Sequence, residues 1–345
     1  MKKKIIQILA IMLVLAAASR VADAGSGNRT GTNGASELLI PVGTRYIGMG
    51  GTGIATATGV EALYWNPAGV ARMQNSVGVY VSHMSYIADI GVDYGAVSAN
   101  IEGFGVLSLA LKALSIGDIP VTTTEDPDGT GQTFTPQFFT LGFTYSRQLS
   151  DRVSVGLTTN FISERMGDVS ASGVGFNVGV VYDGLGGVDG LSAGIAVKNI
   201  GEQMTFEGSG LLTQATVPEQ NRPPQYYQIQ AASFELPSSI EFGMGYRRTF
   251  GGDNSILLSA AFQSQNFSDD EYLVGVEYSY QDLFFLRGGY DFAQKNSAER
   301  EYVFGPSFGA GVHSALGSID LTFDYAFRSV DLFSNNHIFS VTLGF

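Results

Sequence analysis

The chain has no cysteine, which removes disulfides, thiol chemistry and cysteine-based zinc sites from consideration. Histidine is scarce as well. His83, His313 and His337 are the only imidazoles in 345 residues, too few for a histidine-rich metal centre. Basic residues are outnumbered, with 19 Lys and Arg against 32 Asp and Glu, a formal net charge of −13. Such a chain lacks the basic surface that nucleic acid requires. No segment after the N-terminus holds 18 consecutive apolar residues, so no helical membrane span is expected. Tryptophan occurs once, as Trp65.

What is present begins with an export signal. Lys2, Lys3 and Lys4 precede a mostly apolar run from Ile5 to Ala18, and Ala22-Asp23-Ala24 supplies an A-x-A cleavage site before Gly25. The run is too short to span a bilayer comfortably, so residues 1–24 read as a cleaved secretory signal peptide. Glycine is abundant, at 45 residues, about 13% against a usual ~7%. It is spread through the chain, which suits tight turns and lumen-facing positions on strands.

Beyond residue 75 the dominant signal is a period of two. Ile319, Leu321, Phe323, Tyr325 and Phe327 fall on one face of an extended segment, and Asp320, Thr322, Asp324, Ala326 and Arg328 on the other. Tyr272, Val274, Val276, Tyr278 and Tyr280 likewise oppose Gly275, Glu277 and Ser279, and Val174 to Tyr182 alternate against Gly175, Asn177 and Gly179. Period two means strands whose two faces meet different solvents. Aromatic-rich faces opposite charged ones fit lipid outside and a polar lumen inside. A soluble β-sandwich of 345 residues with no linker-like break would be unusually large.

Fourteen strand-like segments are expected, at about 76–86, 89–101, 103–116, 132–148, 151–166, 172–183, 189–200, 237–249, 254–266, 270–280, 283–292, 301–313, 317–328 and 336–345. Even-numbered connections are short, as at Glu102-Gly103, Ser150-Asp151 and Gln281-Asp282. The two longest, 117–131 and 201–236, are odd-numbered. Short periplasmic turns alternating with longer outer loops are the habit of bacterial barrels. The expected fold is therefore all-β: a 14-stranded antiparallel transmembrane β-barrel over 76–345, with residues 25–75 folded inward as an N-terminal plug. A barrel this wide would leak without one.

The plug segment carries the most specific words in the chain, Gly48-Met49-Gly50-Gly51 and then Tyr64-Trp65-Asn66-Pro67-Ala68-Gly69. This pair resembles the N-terminal region of the PorV/PorQ family, within the wider superfamily of FadL-type outer-membrane transporters. The resemblance implies a FadL-like plugged barrel in the cell outer membrane. It also implies one of two roles. One is engagement of secreted proteins or type IX secretion components; the other is passage of hydrophobic small molecules. A structural outer-membrane protein is a third reading. From the residues themselves, Asn66 before Pro67 is pushed out of helical geometry and can close a local turn. Gly50 and Gly51 permit close approach or positive φ, and the Trp65 indole is expected to wedge between plug and wall.

Chemistry is weighed against this frame. His313-Ser314 falls at a periplasmic turn, away from the outer leaflet, and no carboxylate in sequence suggests an orienting partner. No enzyme activity, cofactor or metal is expected. Glu125, Asp126 and Asp128 crowd an outer loop without the context of a calcium motif, and read as a solvated turn. Glu164, Lys198, Glu241, Arg247, Glu277, Arg287, Asp320, Asp324 and Arg328 face inward, and read as a salt-bridge lattice holding the plug rather than a pore lining. In the loop 201–236, Phe206, Leu211, Leu212, Tyr226 and Tyr227 with Pro223 and Pro224 form a candidate recognition element, or else a lid over the mouth. Phe345, the terminal aromatic, resembles an outer-membrane assembly signal. The expected partners are outer-membrane lipid and possible secretion components, around a monomeric barrel.

Overall fold

The computed structural model describes residues 32–215, 223–293 and 302–345. The signal peptide, the first residues of the plug segment and Arg222 lie outside them. Fourteen long strands form one antiparallel sheet. They are β1 (Val77–Ser85), β2 (Gly91–Ile101), β3 (Gly105–Ser115), β4 (Gln137–Ser150), β5 (Val153–Met166), β6 (Val169–Asp183) and β7 (Leu191–Gly201). The second half comprises β8 (Ser239–Phe250), β9 (Asn254–Gln265), β10 (Glu271–Tyr280), β11 (Phe284–Ala293), β12 (Phe304–Leu316), β13 (Ile319–Val330) and β14 (Asn336–Gly344). Each pairs with its neighbours in sequence, and β14 returns to β1 from Gly78↔Gly344 to Ser85↔His337, which closes the barrel.

Side-chain direction follows the alternation in the sequence. Phe143, Phe161, Val178, Ile195, Phe242, Val274 and Phe323 stand exposed on the outer wall, where lipid would cover them. Their neighbours Thr144, Ile162, Asn177, Ala196, Glu241, Leu273 and Asp324 are buried inside. Strand boundaries agree with the sequence pattern to within a few residues. Three irregularities escaped it: registers shift between Gln148 and Ser150, between Phe176 and Val178, and between Phe304 and Ser307, the last around Pro306, which has no N–H to give to a ladder.

The C-terminus seals the seam. The Phe345 carbonyl accepts from the N–H groups of Ser76 (2.7 Å) and Val77 (3.1 Å), and its own N–H donates to the Val77 carbonyl at 2.9 Å. Deleting Phe345 removes three seam bonds. Val341→Asp puts a carboxylate on the lipid-facing row between Val81 and Phe323, at a cost on the order of 2 kcal/mol. Both variants are expected to fail assembly, read as loss of the heat-modifiable band on electrophoresis. Normal heat-modifiable barrel in both would refute this.

Residues 32–75 fill the lumen with short helical turns, Ser36–Leu39, Thr44–Ile47, Gly59–Glu61, Ala62–Trp65 and Pro67–Arg72. Thr44–Ile47 lies against β12 and β13, while Pro67–Arg72 lies against β4, β5 and β6. The plug therefore reaches from one wall to the far one. Tyr46, Met49, Ile54, Ala62, Ala68 and Val70 are fully buried in it.

Candidate functional site: the plug, its latch and the outer loop

Plug and wall meet backbone to backbone, and inward-facing glycines make the room. A Cβ built on Gly289 of β11 would lie 2.1 Å from Gly50 N and 2.1 Å from Met49 C. On Gly275 of β10 it would lie 2.3 Å from Met49 O. Gly50 adopts φ +65° and Gly51 φ +85°, so the Gly48-Met49-Gly50-Gly51 word serves both a left-handed turn and this close approach. The Gly50 N–H donates to Ser307 Oγ at 3.0 Å.

Asn66 is extended (φ −155°, ψ 113°) and caps the Pro67–Arg72 turn, accepting from Ala68 N at 3.0 Å. Its amide donates to Ile54 O at 2.8 Å, and to Val180 O and Ile195 O of the wall at 3.3 and 3.4 Å. Gly179 permits this, since a Cβ there would lie 1.9 Å from Asn66 Oδ1. Gly69 is likewise pressed on the Ala57 carbonyl, 2.2 Å from its built Cβ. Trp65 is buried. Its indole fills space left by Gly43 and Gly53 within the plug, edge-on to Tyr64 at 5.1 Å. Lys198 of the wall stands 5.9 Å from the centre of its ring.

The inward charges form the lattice that latches the plug. Arg45 donates to Glu277 twice, at 2.8 and 2.6 Å. Arg287 donates to Glu277 at 2.8 Å and to Asp324, and Arg45 also lies 3.7 Å from Glu61. Burial works against the Arg45 charge, but Glu277 more than compensates and raises its pKa above the usual guanidinium value. Burial pushes the Glu61 carboxyl up to about 7, against the pull of Arg45. Lys198–Glu241 (2.8 Å) and Arg328–Asp291 are further pairs. Arg247 approaches Glu277 only to 3.7 Å and stays partly exposed. Asp320 sits at the turn end, where Asn75 donates to it at 2.8 Å. Arg45, Glu61, Lys112 and Asp291 belong to this lattice and were missed in the sequence, because their partners lie far along the chain.

At the outer side of the plug, Glu37 lies buried beside Glu164. The Ala35 N–H donates to Glu164 at 2.9 Å, and Lys112 Nζ donates to the carbonyl of Glu37 at 2.6 Å. Burial first, then the Glu164 carboxylate, pushes the Glu37 carboxyl from 4.5 up to about 8. Between those values the folded plug holds a proton that an unfolded one releases. Rising pH therefore weakens this anchor, by up to about 1.4 kcal/mol per pH unit. Glu37→Gln is expected to abolish the slope: protease resistance of the plug should fall from pH 5 to 8 in the parent protein and stay level in the variant. An equal fall in both would disprove the assignment.

A cavity of about 310 Å³ lies between the plug and the outer loops. Its lining mixes the charged groups Lys198, Glu241 and Arg328 with apolar Ile40, Trp65, Leu273 and Phe304. Every adjacent strand pair is hydrogen-bonded among the described residues, and the β11–β12 ladder ends at Gly289↔Ser307.

The loop between β7 and β8 divides in two. Phe206 and Phe234 pack together at 5.5 Å, and with Met204 and Leu236 cover Ala35 and Leu38 of the plug. Phe206 is therefore half-buried lid, not exposed recognition surface, because the antiparallel bridge Met204↔Phe234 folds it inward. Leu212–Ala215 and Gln225–Gln228 instead form a projecting hairpin, with Leu212 (48%), Tyr226 (72%) and Tyr227 (39%) exposed and Leu211 half-buried at its base. Glu125, Asp126 and Asp128 are solvent-exposed in their own loop, and no cluster suited to a metal occurs among the described residues.

These features define a class first: a plugged, 14-stranded outer-membrane β-barrel. The chain belongs to the family of the type IX secretion system protein PorV, whose model matches residues 23–217. No curated protein matches it. Among solved structures it is similar to the Pseudomonas putida toluene transporter TodX, at 13% identity and a TM-score of 0.58, covering 88% of this chain and 98% of that one. It is also similar to the CymD monoaromatic hydrocarbon channel, at 14% identity and 0.56, covering 89% and 98%. The Ralstonia pickettii toluene transporter TbuX gives 14% and 0.56, covering 88% and 98%. At these identities the likeness is one of fold. Family and fold neighbours are secretion and channel proteins, not enzymes.

Proposed function

We propose that this protein engages secreted proteins or type IX secretion components at the outer membrane, acting as a holder rather than a conduit. The observation that carries the reading is the projecting hairpin. Tyr226, Tyr227 and Leu212 offer rigid, apolar contact area on a stretch with no charged side chain in either strand, the composition that protein partners select. Membership of the PorV family supports it. The lumen supports it too, because passage of hydrophobic molecules calls for an apolar cavity and a way out through the wall. Here the pairs Lys198–Glu241 and Arg328–Asp291 stand among the apolar groups of the cavity's lining, and each strand is hydrogen-bonded to the next among the described residues. By contrast, the toluene transporters share only the fold with this chain.

The test is gentle purification of the tagged protein from its own outer membranes, with analysis of whatever accompanies it. Stoichiometric secreted proteins or secretion components are expected, reduced about tenfold or more by the double substitution Tyr226→Ala, Tyr227→Ala if these are the anchors. Recovery of the barrel alone with a bound hydrophobic molecule would reverse the reading in favour of transport.

A further inference from the structure

The cavity beneath the outer loops holds an imbalance of charge. Among the described residues its lining contains three carboxylates, Glu241, Glu271 and Asp291, against two cations, Lys198 and Arg328. Both cations are already engaged. Lys198 Nζ lies 2.8 Å from Glu241 Oε2 and 4.8 Å from the centre of the Tyr64 ring. Arg328 pairs with Asp291 Oδ2 and lies 3.5 Å above the Phe304 ring. Glu241 accepts a further bond from the Ser239 hydroxyl at 3.0 Å.

What remains is acceptor capacity. Asp291 is 2% exposed. Its Oδ2 also receives the Tyr302 hydroxyl at 2.9 Å, but its Oδ1 has no hydrogen-bond partner among the described residues. A buried carboxylate oxygen without a donor is costly, and rare in folded proteins. Glu271 is the third carboxylate, and among the described residues it forms no ion pair. The register Leu273↔Asp291 makes Glu271 and Asp291 diagonal neighbours on the inward face of β10 and β11, within reach of one small group. Apolar Ile40 and Leu273 line the same space. Its volume of about 310 Å³ lies in the range of small-molecule sites, ~300–1,000 Å³. Gln265, Ser268 and Glu271 keep partial exposure at its outer edge.

We propose that this cavity binds a small primary amine with an apolar body, its ammonium set between Asp291 and Glu271 and its carbon chain against Ile40 and Leu273. An ammonium has three donors and a full charge, which meets both the unmatched oxygen and the excess carboxylate. Water brings donors but no charge. A quaternary cation lacks the N–H that Asp291 Oδ1 calls for, and a fatty acid would add a fourth carboxylate. No cluster suited to a metal ion occurs among the described residues. The site goes beyond the hairpin-mediated role above and does not rest on it.

Trp65 is the one tryptophan of the chain and lines the cavity, so its emission reports occupancy. The test is titration of the purified full-length barrel, in non-ionic detergent at pH 7, with n-hexylamine, 1-hexanol and hexanoate. A saturable change is expected with hexylamine, and binding about tenfold or more weaker with the alcohol and the acid. Glu271→Gln keeps the shape and removes the charge, and should weaken hexylamine binding about tenfold or more. Gln263→Lys puts an ammonium of the chain's own opposite Glu271, and should abolish binding. It tests the same claim if Glu271→Gln fails to assemble, with heat-modifiability as the check on both. Equal responses to amine and alcohol, a preference for hexanoate, or unchanged hexylamine binding in either assembled variant would overturn the proposal. Tyr226→Ala, Tyr227→Ala should leave the hexylamine titration unchanged, so that failure of the hairpin reading and failure of this site are separate results.

Discussion

Gly289→Leu is expected to convert a silent barrel into a conducting one. The reason is geometric. A Cβ at position 289 has Gly50 N and Met49 C at 2.1 Å, and both are backbone atoms that no rotamer change can move. The plug cannot retreat locally either, because Gly50 N–H is tied to Ser307, the partner of Gly289 on the adjacent strand β12, and Gly275 on the other side is pressed on Met49 O at 2.3 Å. Overpacking of a tight core costs typically 1–3 kcal/mol, and a branched side chain driven into backbone lies at or above the upper end. The wall is held by ladders on both sides of β11, so the plug is the part that yields. Planar-bilayer recordings should show open-channel events in Gly289→Leu and none in the parent. Gly288→Leu is the control, since its Cβ faces outward and meets nothing closer than Val276 at 3.9 Å. Silent bilayers from correctly assembled Gly289→Leu would show that the plug does not depend on this contact.

The barrel was legible because alternation is local. Each strand states its two faces within ten residues, and a slip of one residue would turn Glu277 or Asp324 into lipid. The purpose of the glycines was legible only in outline. Nothing adjacent to Gly179 or Gly289 says that Asn66 or Met49 will rest on it, since those contacts cross the lumen between distant parts of the chain. The same distance hid Arg45, which lies 232 residues from Glu277. The outer loop misled for another reason. Phe206 and Tyr226 are equally aromatic in sequence, and only the bridge between Met204 and Phe234 sends one inward and leaves the other in water. His83 shows the limit most clearly. Asp93 lies only ten residues on, yet nothing but the β1–β2 hairpin register sets it directly opposite.

Glu277→Ala should be the most destabilising single change in the latch. Glu277 is 1% exposed and receives two bonds from Arg45 and one from Arg287. Removing it leaves two guanidinium groups in the lumen with only Glu61, at 3.7 Å, and Asp324 to balance them. Breaking a buried pair by deleting one partner costs about 3–5 kcal/mol, because the remaining charge keeps its desolvation without its compensation. The loss should appear first in the plug, since Arg45 is its contribution to the network, and only then in the barrel. Limited proteolysis should therefore cut within 32–75 under conditions that leave the strands intact. The double variant Glu277→Met, Arg45→Met separates charge from packing. If uncompensated charge is the cause, it should recover most of the stability lost in Glu277→Ala, giving a coupling energy of a few kcal/mol in the cycle. A double variant as unstable as the sum of its singles would mean that shape, not electrostatics, holds the plug at this wall. The ion pairs would then be incidental to the seal.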